Sequence, residues 1–180
     1  VVPLEQASPK EEWAARTIRP KIKRQLEKYL VPLKTVAVKK DSLNLEIQTL
    51  KPDDPDRVLA LLPIDRSVGR VKSFPGGTSE AKKRLREFIA DKLSLYPEMR
   101  NDPNADAVSH MSPYLHFGQV SPLYVALEVI KSKKKAAEVY LEELIVRREL
   151  SMNYVYYNGQ YDRFEGLPFW AQKTLKEHQR

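Results

Sequence analysis

The sequence predicts a mainly α protein, and three observations lead there. From residue 74 onward, apolar residues recur at the three-and-four spacing of amphipathic helices. Between 31 and 73 the chain is interrupted by prolines and shows no sustained period. Only three short stretches, 1–6, Val36-Ala37-Val38 and Leu43-Asn44-Leu45-Glu46-Ile47, have the apolar or alternating character of strands.

Taken in order, residues 1–6 read as a brief strand. Ser8-Pro9-Lys10-Glu11-Glu12 then reads as a helix start, with Ser8 as N-cap, Pro9 in the first turn and Glu11 completing a capping box. The helix is expected to run to about residue 30, with Trp13, Ile18, Ile22 and Leu26 on its apolar side. Pro20 inside it should kink or divide it, because proline lacks the N–H and crowds the preceding turn. Five prolines from Pro32 to Pro75 mark a linker-like region. Within it, Pro52-Asp53-Asp54-Pro55-Asp56 predicts a turn feeding a small helix near residues 57–62. Gly76-Gly77-Thr78 precedes a clear helix over about 79–92, with Ala81, Leu85, Phe88 and Ile89 at helical spacing. Residues 101–106 form a polar loop. Ser112-Pro113 and Ser121-Pro122 each open a further helix. A strong helix is expected over about 136–157, then a turn-rich loop over 160–168 and a final helix over 169–179.

Hydrophobic residues make up 42% of the 180 residues, enough for a core. No apolar run is long enough to cross a bilayer, and Glu5 and Gln6 end the opening apolar stretch before it resembles a signal peptide. A first residue other than Met points to processing or to a piece of a longer protein. The absence of cysteine excludes disulfides, thiol chemistry and cysteine-held metals, and fits an intracellular protein. His110, His116 and His178 are too scattered for a metal site, so none is expected. Lys and Arg outnumber Asp and Glu by 31 to 24, a net charge of +7 that favours a polyanionic partner. Composition alone leaves nucleic-acid binding and its absence equally open.

Three segments are more specific. The first is Phe74-Pro75-Gly76-Gly77-Thr78 with the basic amphipathic helix after it. The second is Tyr96, then Arg100-Asn101-Asp102-Pro103-Asn104, then Ser109-His110-Met111-Ser112-Pro113-Tyr114-Leu115-His116-Phe117-Gly118. The third is Leu141-Glu142-Glu143-Leu144-Ile145-Val146-Arg147-Arg148-Glu149-Leu150, continuing through Asn153-Tyr154. In this order they resemble the class II cyclobutane-pyrimidine-dimer photolyases of the photolyase/cryptochrome family. Glu12-Trp13-Ala14-Ala15-Arg16 is similar to the end of that family's N-terminal domain, so the resemblance covers nearly the whole chain, as a central fragment. It implies that 1–73 are the end of an α/β domain plus a linker, and 74–180 the first part of the helical FAD-binding domain.

The resemblance also implies roles. Ser109, His110, Met111 and Ser112, with Val108 at their edge, match the loop that grips the FAD phosphates. A serine-rich turn suits that task, although Ser112 before Pro113 is also an ordinary helix cap. His110 stands where the family usually has a smaller residue. Tyr96 matches a tyrosine that contacts the same cofactor. Glu143 matches the glutamate that hydrogen-bonds the damaged pyrimidines, and is the expected catalytic residue. Its i,i+4 spacing to Arg147 is equally that of a surface ion pair worth about 0.2–0.5 kcal/mol. Tyr140, Glu149 and Asn153 are expected near the flavin or the lesion, and Arg147 and Arg148 at the DNA or bracing the pocket. Lys131–Lys135 read as a solvated run with a lesser claim on phosphates. The tyrosines at 154, 156, 157 and 161, with Phe164, read as packing.

The implied function is light-driven repair of ultraviolet-damaged DNA by a monomer, cytoplasmic in a prokaryote or nuclear in a eukaryote, without a membrane. The chain alone is expected to bind FAD weakly or not at all and not to repair DNA. Two other readings remain open at this stage: a cryptochrome-like flavin photoreceptor and a flavin-independent DNA-binding module.

Overall fold

The computed structural model describes residues 1–48 and 54–179. It divides into two compact units, one made of Val1–Pro32 with Gly76–Arg180 and one of Leu33–Pro75. Among the described residues there is no strand, and no helix is long and apolar enough to cross a membrane.

In the first unit, α1 (Leu4–Ala7) is a single turn capped by the Pro3 carbonyl, which accepts from the amides of Gln6 and Ala7 at 3.0 Å. The strand expected over 1–6 is therefore corrected. A strand needs a neighbour to pair with, and none is present among the described residues. The helix start expected at Ser8 is also corrected: α2 spans Ala15–Tyr29 and begins at Ala14 without a side-chain cap. The Ser8 hydroxyl is used instead on the Glu12 carboxylate at 2.6 Å. Long-range contacts hold residues 8–14 out of the helix, which is tertiary structure overriding local capping. α2 continues through Pro20 undivided and buries Ile18 and Ile22.

α4 (Thr78–Glu87) begins after Gly77, whose φ of +112° suits only glycine. The Gly77 amide donates to the Gln119 side chain at 2.9 Å, and the Thr78 hydroxyl to the Gln119 carbonyl at 2.8 Å. The helix runs on as a π-helical turn, Phe88–Lys92, so the expected element is present with its last turn widened. α5 (Tyr96–Met99) and α6 (Ser112–His116) are short, each with proline in its first turn. α7 (Pro122–Lys131) is capped by Ser121, whose hydroxyl accepts from the Leu123 amide at 3.2 Å. It buries Val125, Ala126 and Val129. Burying a valine-sized side chain contributes about 1.5–3 kcal/mol.

The expected long helix consists of α8 (Ala137–Leu141), a π-helical Glu142–Arg147 and α9 (Arg148–Tyr157), without a break. After a 3₁₀ turn, Phe164–Gly166, α10 (Phe169–Glu177) ends the described chain. The lysine run is partly structural. Lys134 donates to the carbonyls of Ile89 and Ala90 at 2.6 and 2.9 Å, closing the end of the α4 run. Lys131 pairs with Glu128 at 2.6 Å.

A strap of residues 1–14 lies along α9. Asn153, buried, accepts from the Glu12 amide at 2.7 Å and donates to the Lys10 carbonyl at 3.0 Å. The Tyr157 hydroxyl donates to the Ser8 carbonyl at 2.8 Å. Glu12 is itself buried and bonded to Lys21.

In the second unit, the strands expected at Val36–Val38 and Leu43–Ile47 are corrected to irregular chain; these apolar residues are exposed and have no partner strand among the described residues. The expected turn lies partly outside the described residues, at Pro52 and Asp53. Its described end forms α3 (Pro55–Ala60), with Asp54 accepting from the Asp56 and Arg57 amides at 3.1 Å. Arg66 closes the other end on the carbonyls of Leu59 and Leu62, both at 2.8 Å. No described side chain of this unit is buried.

Candidate functional site

The site grows from three buried rings. Phe88, on the π turn after α4, lies edge-on to Tyr96 at 5.8 Å between centroids and tilted against Tyr140 at 4.8 Å. Tyr96 and Tyr140 meet edge to face at 5.3 Å. Such arrangements set the negative ring face against the positive edge. Tyr140, from α8, donates its hydroxyl to Ser109 Oγ at 3.1 Å. Burial pushes the Tyr140 hydroxyl up to about 12, the Ser109 bond opposing only in part, so it remains a neutral donor. Ser109 Oγ also accepts from the Met111 amide at 3.4 Å, tightening the turn before α6.

A second group lies on the same scaffold. Arg100, at the end of α5, donates to Glu143 Oε1 at 2.7 Å. Its guanidinium stands 5.8 Å from the centre of the Tyr96 ring, within cation–π range. Both members of the pair are partly exposed, so the pair faces solvent while its Tyr96 platform is buried. A donor and an acceptor are thus presented side by side.

A third group braces the turn from outside. His110 has a left-handed backbone, φ +53°, and its Nε2 lies 2.6 Å from Asp106 Oδ1. Lys92 holds the other carboxylate oxygen at 2.6 Å. The Lys92 bond first, and then the His110 bond, keep the Asp106 carboxyl at about 2.

The structure therefore joins Tyr96, Ser109, Tyr140 and Glu143 of the expected residues. Val108 is half-buried beside them, the Met111 side chain is buried in the core, and Ser112 is exposed at the start of α6. Glu149 and Asn153 are both buried, and Asn153 turns its amide to the strap. The i,i+4 pairing of Glu143 with Arg147 is corrected, because Glu143 bonds Arg100 and the π turn removes the α-helical register. Arg147 is exposed, and Arg148 rests on Met152 Sδ at 3.1 Å. Arg100, Lys92 and Asp106 were not singled out from sequence. The i,i+4 spacing of Tyr96 and Arg100 was the available signal for the first. Among the described residues no cluster of His, Cys, Asp and Glu is arranged for a metal. A cavity of about 320 Å³ between α2 and α8, floored by Leu26, Leu141, Ile145 and Val146, lies apart from these residues.

No family model matches the chain. Curated relatives do. A deoxyribodipyrimidine photo-lyase of Methanothermobacter thermautotrophicus is 47% identical over 99% of this chain and 38% of its own length. One from Potorous tridactylus is 40% identical over 99% of the chain and 34% of its own length. One from Arabidopsis thaliana is 37% identical over 99% of the chain and 38% of its own length. The chain spans little more than a third of each of these relatives. Matched along almost all of its own length, it belongs to the deoxyribodipyrimidine photolyase family.

Proposed function

We propose that this chain is part of a light-driven DNA repair enzyme of the class II type that splits cyclobutane pyrimidine dimers using FAD. The observation that carries the reading is the Arg100–Glu143 pair, held at 2.7 Å over Tyr96 and presented to solvent. A pyrimidine edge offers an N–H donor and a carbonyl acceptor. Glu143 supplies the acceptor for the first and Arg100 the donor for the second.

The donor set of residues 108–112 fits a diphosphate. Ser109 and Ser112 bring hydroxyls, His110 brings an imidazole, and the nearby Asp106 carboxylate is already neutralised by Lys92. Tyr96 and Tyr140 wall the same side with apolar ring surface. When bound and reduced, FAD supplies on excitation by light the electron that opens the dimer. The chain's residues do the rest. Arg100, pre-oriented by Glu143 and Tyr96, stabilises negative charge gathering on the pyrimidine carbonyl. Glu143 fixes the ring by its N–H. Arg147 and Arg148 face the phosphate backbone, which gives affinity without sequence preference. The dimer reaches the pocket by leaving the helix stack, at lower cost than for an intact pair. Asn153 acts at one remove, by holding the strap on α9. In this reading residues 74–180 open the helical flavin domain, and 1–73 end the preceding domain and link the two.

The test is repair of a dimer-containing oligonucleotide under light by the full-length protein, beside Glu143→Gln and Arg100→Ala. Each variant loses a charge-assisted hydrogen bond and should repair about ten- to a hundredfold more slowly. Flavin content, read from absorbance, should be unchanged. Full repair by both variants would sink the assignment.

A further inference from the structure

We propose that the exposed side of α2, lined by Arg16, Lys23, Arg24 and Lys28, is a contact surface for the phosphate backbone of the duplex that flanks the lesion. The proposal rests on the reading of the chain as part of a DNA repair enzyme. α2 carries six of the 31 lysines and arginines but only one of the 24 acidic residues, Glu27. Two of the six are engaged within the fold. Arg19 grips both carboxylate oxygens of Glu142, the closest approach being 2.7 Å, and Lys21 is bonded to the buried Glu12. The other four are exposed and form no ion pair among the described residues; Lys28 lies over the Tyr29 ring at 4.8 Å. Helical spacing gathers Arg16, Lys23 and Arg24 on one side, opposite the side on which Ile18 and Ile22 are buried. Solvated helix faces commonly mix the two signs, whereas Arg24 and Lys28 here repel each other at i,i+4. A polyanion laid along the stripe removes that repulsion.

Continuity with the lesion site selects the polyanion. α2 packs on the π turn Glu142–Arg147, the element that bears Glu143. Neighbouring carboxylates there turn to different partners, Glu142 to Arg19 of α2 and Glu143 to Arg100. The Arg19 bond, against the opposing effect of burial, holds the Glu142 carboxyl below its usual range, and Arg147 and Lys23 add their charges. Lys23 and Arg147 thus stand about one carboxylate, and the stripe continues the basic surface that starts at Arg147. Glu138 and Glu142 line the same groove as Lys23 and temper its charge, but Glu142 is already held by Arg19. From Arg16 to Lys28 the stripe runs about 18 Å at the helical rise. That matches about five steps of a DNA strand at 3.4 Å each.

The experiment measures binding of the flavin-loaded full-length protein, in the dark, to two dimer-containing probes over a range of salt. One is a duplex of about 24 base pairs, and the other a single strand of about six nucleotides that has no flanking duplex. The variant is Arg16→Gln/Lys23→Gln/Arg24→Gln, since glutamine suits a helix nearly as well as the residues it replaces. Its urea midpoint checks the fold. On the duplex it should bind about ten- to a hundredfold more weakly near 0.15 M salt, with the slope of log affinity against log salt shallower by about two to three. On the short strand it should change less than about threefold. Arg16→Lys/Lys23→Arg/Arg24→Lys keeps every charge and should bind as the wild type does. Unchanged duplex affinity in the glutamine variant would overturn the proposal, and is the result expected if the stripe serves an acidic protein instead. Equal losses on both probes, or a loss in the charge-keeping variant, would overturn it too. Backbone contacts ignore the lesion, so the same loss should recur on intact duplex. A wild type that does not prefer damaged over intact duplex would sink the repair reading, while the variant's loss on intact duplex would still decide the stripe.

Discussion

Replacing Asn153 with alanine tests whether this side chain serves the strap or the cofactor. Asn153 is 1% exposed, accepts from the Glu12 amide at 2.7 Å and donates to the Lys10 carbonyl at 3.0 Å. Alanine can do neither. The Glu12 amide lies in a buried stretch and loses its acceptor, at about 1–3 kcal/mol for an orphaned group. The Lys10 carbonyl is nearer the surface and can turn to water, so its loss is about 0.5–1.5 kcal/mol. The variant should therefore be less stable by about 2–4 kcal/mol, a large part of the roughly 5–15 kcal/mol typical of a domain. Tyr157→Phe, which removes only the bond to the Ser8 carbonyl, should lose about 1 kcal/mol. Urea unfolding followed by circular dichroism measures both, compared at the midpoint with the slope held equal. A loss below about 0.5 kcal/mol for Asn153→Ala, accompanied by weaker flavin binding in the full-length protein, would refute the strap and return Asn153 to the cofactor.

Two further outcomes rest on neighbouring contacts. Burial pushes the Glu12 carboxyl up, but hydrogen bonds from Lys21, Ser8 and Thr17 outweigh it and hold the group at about 2, against 4.5 for a free glutamate. Because the folded value is the lower, its stabilisation is complete above about pH 4.5 and is lost as pH falls towards 2. Glu12→Gln should flatten the fall in urea midpoint over that window, and an unchanged slope would refute the assignment. Lys134→Met keeps the aliphatic stem but releases the Ile89 and Ala90 carbonyls, so amides 88–93 should exchange with solvent several-fold faster while those of α7 do not.

What the sequence revealed was set locally. The runs beginning at Thr78, Pro122 and Ala137 have apolar residues at helical spacing, and Ser121-Pro122 starts its helix as the dipeptide predicts. The failures share one cause, a partner distant in the chain. Ser8 has every local mark of an N-cap, yet residues 8–14 are held by Asn153, 141 positions beyond Glu12. Val36–Val38 is apolar and Leu43–Ile47 alternates, but neither pattern makes a strand except beside another strand. Arg100 has a helical neighbour in Tyr96, while the carboxylate that gives it meaning lies 43 residues away.

The π turn at Glu142–Arg147 shows how a local deviation reaches the chemistry. Each residue of an α-helix turns about 100°, so Glu143 and Asn153 would stand about 80° apart on an uninterrupted helix. Both would then point to neighbouring faces and compete for one environment. A π turn takes up about one extra residue, setting the helix beyond it back by about 100° and moving the two side chains to nearly opposite faces. Their partners agree with this: Arg100 and the rings on one side, Lys10 and Glu12 on the other. The widened turn also separates Glu143 from the Arg147 that α-helical spacing would have stacked on it, which leaves the carboxylate to Arg100. One continuous helix thereby holds the N-terminal strap along its last turns and presents the acidic group of the proposed lesion site a few residues earlier. The feature that makes this compatible is invisible to any reading that assumes a period of about 3.6 residues.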